Sequence, residues 1–228
     1  MCIFGKRRGK NAPKNIGKIV LLGAAGAGKG SLARCLAAEY GIPHISTGEI
    51  FRKHIKEGTH LGKIAEKYIS VGNLVPDDIV VDVVRARLLE PDCAHGFLLD
   101  GFPRTAVQAD RLSKHIKIDR VIQLSVSAET VLKRLGGRYM CRKCGAHHNA
   151  LWDDISKCKV CGGELYQRED DRADIIQKRY EQYNADASAI LATYARLNTP
   201  VLKIESLLTD SPENMYRKFK EKYGKIFG

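Results

Sequence analysis

Residues Gly23-Ala24-Ala25-Gly26-Ala27-Gly28-Lys29-Gly30-Ser31 follow the apolar run Ile19-Val20-Leu21-Leu22 and open a helix-prone segment. The order strand, glycine-rich turn, helix start is that of a phosphate cradle. Glycines let backbone N–H groups turn toward an anion, the helix start adds the positive end of its dipole, and Lys29 supplies a point charge. A nucleoside triphosphate is the expected guest. The general pattern has Ser or Thr directly after the lysine, whereas here Gly30 intervenes before Ser31. A second segment, Gly96 to Ala109, reads as a buried strand ending in Asp100 and a turn presenting Arg104 and Gln108. In open parallel sheets ligands gather at the carboxyl ends of the strands. Asp100 is thereby expected beside the phosphates, where its carboxylate can hold the hydration shell of Mg²⁺.

A third group is metallic in type. Cys141 and Cys144, then Cys158 and Cys161, form two Cys-x-x-Cys pairs separated by thirteen residues, each followed by glycine. This is the spacing of a four-thiolate zinc site. Four thiolates complete a tetrahedron, so the expected zinc is structural, and His147 and His148 are left out of its shell. Cys2, Cys35 and Cys93 remain and read as unpaired thiols, the last two as packing residues.

The elements that must position these groups follow from periodicity. Apolar runs near 19–23, 42–45, 96–100, 120–126 and 200–205 alternate with amphipathic stretches, which predicts a parallel five-stranded sheet covered by helices. A helix is expected over 76–90, beginning at Pro76 with Asp77 and Asp78 in its first turn. From Glu164 to Thr199 there is neither Gly nor Pro, and Ile176, Tyr180, Tyr183, Ala187, Ile190, Leu191, Tyr194 and Leu197 recur at helical spacing. The reading is one long helix with that stripe buried. If it starts early, Arg168, Arg172 and Arg179 share one sector. Glycines at 136, 137, 145, 162 and 163 bracket the cysteine stretch, which looks inserted.

At 228 residues the chain suits one core with a small insert. No apolar stretch approaches the length of a membrane span. The net charge of +12 points to polyanionic partners without choosing among them. Part of it lies in Lys6, Arg7, Arg8, Lys10, Lys14 and Lys18, ahead of the first acidic residue Glu39, and residues 1–16 read as a basic extension. Metal-bound thiolates imply a reducing compartment, and the cytoplasm is expected.

Taken in order, these motifs resemble the adenylate kinase family in its long form with a zinc-bearing lid. The likeness runs from about residue 17 to 204. It includes Gly23–Ser31, His44 to Glu49 with Arg52, Gly72 to Asp77, Asp100 to Arg104 with Gln108, Arg134 to Arg138, the four cysteines, and Arg168 to Asp171 with Arg179. The resemblance implies an α/β P-loop three-layer fold: a core of 17–45, 76–136 and 176–228, an AMP-binding arm at 46–75 and a lid at 137–175. It implies the reaction ATP + AMP ⇌ 2 ADP with Mg²⁺. A monomer is expected, with neither nucleic acid nor membrane as a partner. By likeness, Gly26, Ala27, Gly28, Lys29, Gly30, Ser31, Arg138 and the backbone near His147 and His148 face ATP. Thr47, Arg52, Asn73, Leu74, Val75, Gly101, Phe102, Pro103, Arg104 and Gln108 hold AMP, with Gln108 on the adenine edge. Arg168 and Arg179 bridge the two sets of phosphates, and Lys29, Asp100, Arg104, Arg138, Arg168 and Arg179 carry the chemistry.

That inventory agrees with the reaction's own demands. The nucleophile is a phosphate oxygen already anionic, so cations are needed rather than a general base, and planar Arg suits phosphate best. Ala25 stands where the family usually has Pro, Gln177 where many members have Arg, and the segment after Ile204 departs from the usual Asp-Gly, so the donor base, ATP or GTP, stays open. Two rivals are a kinase for UMP or CMP, and a regulatory P-loop protein whose zinc ribbon grips nucleic acid.

Overall fold

A computed structural model describes residues 15–227. Cys2 and most of the basic extension lie outside them. Five parallel strands form the central sheet in the order β2-β3-β1-β4-β8: β1 (Gly17–Leu22), β2 (His44–Ser46), β3 (Gly96–Asp100), β4 (Arg120–Ser125) and β8 (Val201–Glu205). All five predicted strands are present, with no end displaced by more than two residues. β1 is the middle strand because it is apolar on both faces. Val20 and Leu22 enter the core on one side with Phe97 and Leu99 of β3, while Ile19 and Leu21 enter the core on the other with Leu98.

Helices cover each face, giving three layers. α4 (Asp77–Leu88), α5 (Ala106–Ser113) and the C-terminal half of α7 (Ala173–Arg196) close the first core through Val84, Leu112, Ile190 and Tyr194. The opposite core is closed by α1 (Lys29–Tyr40) and α8 (Pro212–Tyr223) through Leu32, Leu36, Met215 and Phe219. Pro76 immediately precedes α4, as its missing N–H permits. Two short helices, α2 (Thr47–Lys56) and α3 (His60–Ile69), pack on each other after β2. α6 (Ala128–Gly136) leads into a three-stranded antiparallel sheet of β6 (His147–Asn149), β5 (Arg138–Cys141) and β7 (Leu165–Tyr166).

Three expectations are corrected. The helix predicted from Glu164 begins at Ala173: Leu165 and Tyr166 pair with Cys141 and Met140 across β5, and a 3₁₀ turn holds Glu169–Asp171. Pairing with a distant strand overrides local helix propensity there. Arg168 and Arg172 therefore never enter the helix sector of Arg179, and Arg172 points outward to an exposed pair with Asp174. The stripe is also only partly buried: Ile176, Ile190 and Tyr194 are buried, Tyr180, Tyr183, Ala187 and Leu191 half-buried, and Leu197 exposed. Finally, Cys35 is disulfide-bonded rather than unpaired. Cys93 is a free, buried thiol pushed up to about 11 by burial, as its packing role requires.

Candidate active site and metal centre

Strand register brings the first two predicted groups together. Leu21 of β1 and Ser46 of β2 both lie beside Asp100, the last residue of β3, so the glycine loop, the start of α2 and Asp100 meet at one end of the sheet. The loop must be glycine where it bends. Gly28 adopts φ +93° just ahead of α1, and a Cβ on Gly23 would stand 2.7 Å from the Leu124 carbonyl. Lys29 Nζ folds back to donate to the carbonyls of Gly23 (2.6 Å) and Ala24 (2.8 Å). Burial lowers its pKa to about 8; Asp100 opposes that fall, while Arg104, Arg179 and Arg138 add to it. Burial disfavours the Asp100 carboxylate, but the hydrogen bond from His44 at 3.4 Å, with Lys29 and Arg104 nearby, prevails and holds it below its ordinary range.

Above this floor opens a cleft of about 920 Å³. Lining it are Gly26, Gly28, Lys29, Gly30, Ser31, Arg52, Leu74, Asp100, Gly101, Pro103, Arg104, Arg138, His147, His148, Arg168 and Arg179. A contiguous recess adds Thr47, Asn73, Val75 and Gln108. All six predicted cations, drawn from α1, α2, β5, α7 and two loops, thus face one space. Their crowding is visible in their acidities. Burial, then Arg179, lowers Arg104 to about 10; burial, then Arg52 and Arg138, lowers Arg168 to about 9. Two of the cations are already paired. Arg138 grips buried Asp171 through both guanidinium arms, and Arg179 meets Asp170 at 3.1 Å. His147 faces the same space, and desolvation with Arg34 and Arg168 beside it lowers it to about 3, so it stays neutral.

Two predicted residues do not line the cleft. Phe102 is fully buried in the first core, and Ala27 is buried against the second with its N–H donated to the Ala24 carbonyl at 3.1 Å. The His148 side chain is buried against Cys158 Sγ at 3.3 Å. Thr47 donates to the Gly101 carbonyl at 2.9 Å. Sequence reasoning also missed cleft residues. Arg34 lies five positions after Lys29 on α1, a spacing that could have signalled it. Arg134 is buried and donates to Ser206 Oγ (2.7 Å) and the Asp210 carbonyl (3.0 Å), tying the loop after β8 to Gly26. Arg134, Asp170, Asp171 and His44 stood inside quoted motifs without a role of their own.

The metal centre is built from two matching turns. Gly145 N–H donates to the Cys141 carbonyl (2.9 Å) and Gly162 N–H to the Cys158 carbonyl (2.8 Å), both glycines at φ +70°. The four Sγ atoms lie within 4.8 Å of one another, with Cys141–Cys161 at 3.4 Å and Cys144–Cys158 at 3.6 Å. A tetrahedron with Zn–S near 2.3 Å has edges of about 3.8 Å, so the sulfurs fit zinc and leave no open position. Asp100 and Ser31, which line the cleft at the phosphate loop, likewise fit a hydrated Mg²⁺ brought in with phosphates.

Comparison with known proteins is decisive. A family model described as adenylate kinase matches residues 21–199. The chain belongs to the adenylate kinase family. Among relatives, the adenylate kinase of Caldicellulosiruptor saccharolyticus is 46% identical over 185 residues, covering 78% of this chain and 86% of the relative. Those of Archaeoglobus fulgidus and Methanocella arvoryzae are each 43% identical, covering 78% and 79% of this chain and 86% and 88% of theirs. In this kinase no helix among the described residues is long and apolar enough to cross a membrane.

Proposed function

We propose that the cleft transfers the terminal phosphoryl group of ATP to AMP, ATP + AMP ⇌ 2 ADP, and that the six cations converging on it divide the work. The observation that carries this reading is their convergence from separate segments onto the space above the glycine loop. Two nucleotides with one Mg²⁺ bring a net charge of roughly −4 into that space. An AMP phosphate oxygen is a ready nucleophile, and what it meets on approach to the ATP γ-phosphate is repulsion. Backbone N–H groups around Gly26–Ser31 and Lys29 hold the donor phosphates; Arg52 and Arg104 hold the acceptor phosphate; Arg138, Arg168 and Arg179 sit between and neutralise the charge developing on the transferred group. Asp100 and Ser31 would hold the hydrated Mg²⁺, which would supply further charge neutralisation.

The core comprises 17–45, 76–136 and 176–228, the AMP arm 46–75 and the lid 137–175. A lid that excludes water protects the phosphoryl group from hydrolysis, and zinc keeps it stiff. The kinase's partners are the nucleotides ATP, AMP and ADP, and the four free cysteines of the lid, though not Cys35 in its disulfide, support a reducing compartment such as the cytoplasm. The test is a scan of AMP, GMP, CMP and UMP against ATP and GTP, with zinc analysis. We expect ADP from ATP and AMP, and a loss of about 10²- to 10³-fold in turnover for Arg104→Ala. Absence of any diphosphate would overturn the assignment; oligonucleotide binding without turnover would favour the regulatory rival.

A further inference from the structure

Gln108 is buried, its amide is spoken for at both ends, and its partners dictate which way round it sits. The Arg104 backbone N–H donates to Oε1 at 2.7 Å, and Nε2 donates to Asp77 Oδ1 at 2.7 Å. Asp77 is itself fixed by Thr105 Oγ1, which donates to Oδ2 at 3.1 Å. A backbone N–H only donates and a carboxylate only accepts, so the amide oxygen and nitrogen are assigned by chemistry. Reversal would set Oε1 against the carboxylate and the NH₂ group against an N–H.

We propose that Asp77 is a positioning residue for acceptor choice: by holding the Gln108 amide in one orientation it makes the site select a 6-amino purine monophosphate over a 6-oxo one. This rests on the reading that Gln108 faces the acceptor base. After its two bonds the amide keeps one Nε2 hydrogen and one Oε1 lone pair for a ligand. Adenine presents a donor at N6 and an acceptor at N1; a 6-oxopurine presents an acceptor at O6 and a donor at N1. The second pattern needs the amide reversed. Asp77 is at the start of α4 and Gln108 on α5, so the selection is set by how these two helices meet and by the Arg104 backbone N–H, not by the charged side chains that bind phosphate.

The experiment compares AMP with IMP, which carries the 6-oxo pattern without the 2-amino group of GMP, at saturating ATP. Wild type, Asp77→Asn, Asp77→Ser and Gln108→Ala are assayed, with melting curves. We expect the Asp77 variants to narrow the AMP-over-IMP ratio of kcat/KM by about tenfold or more while KM for ATP and kcat with AMP hold. A merely structural role would lower melting temperature and move both acceptors alike. Folded Asp77 variants with an unchanged ratio, alongside a raised KM for AMP in Gln108→Ala, overturn the orientation lock and leave base reading intact. An unchanged KM for AMP in Gln108→Ala overturns the reading beneath it. A measurement on the wild type alone closes the remaining gap: the Gln108 side-chain amide protons should be protected from hydrogen exchange in the free protein, and fast exchange overturns the lock.

Discussion

Burial in the cleft lowers Lys29 to about 8, against 10.5 in a free side chain. For folding, the sign is that of a base made less basic: its burial costs stability in full below pH 8, and the cost fades as pH rises toward 10.5. For binding, a phosphate restores the proton. Nucleotide phosphates are fully ionised by pH 8, their second pKa being about 6, so the window is clean. We expect nucleotide binding at pH 8.5 to take up protons and affinity to fall by up to about tenfold per pH unit above 8. Calorimetry in buffers of different protonation enthalpy reads this directly, and zero uptake would contradict the burial of Lys29. Residues of this kind were legible because their neighbours in sequence are their neighbours in space: Gly23 to Ser31 form one turn. Asp170 and Asp171 were not, since what makes them matter is Arg138 and Arg179, placed there by a sheet and a helix that local spacing does not describe.

At the scale of elements, the five strands were legible because residues buried on both faces leave unbroken apolar runs. The start of α7 was not, because β7 exists only through its pairing with β5. That small sheet has little core of its own: Cys141 and His148 are the buried residues of its strands, with buried Cys158 in the turn beside them. Its cohesion must come from metal. Cys141→Ser or Cys158→Ser should therefore lower zinc content and melting temperature far more than the turnover of enzyme that remains folded, measured by metal analysis and calorimetry. Equal loss of turnover in a folded, zinc-free variant would assign the metal a part in the chemistry.

For the molecule as a whole, gathering this many cations around one cleft sets up an electrostatic tension that an anionic ligand relieves. Nucleotide at 100 times its Kd should stabilise the fold by about 2.7 kcal/mol, a rise of roughly 5–10 °C in Tm for a chain of this size. A shift below about 2 °C would mean that the cations do not act on a common guest. The charge of +12 did not foretell this, since net charge says nothing of where it is gathered. One arrangement tempers the tension. Arg138 and Arg179 wait with Asp171 and Asp170 already against them. For these two guanidiniums an incoming phosphate is a replacement for an anion in hand, and when the product departs the carboxylates stand ready to return. Capture and discharge thus differ little in cost, which suits a catalyst whose reaction must run in either direction.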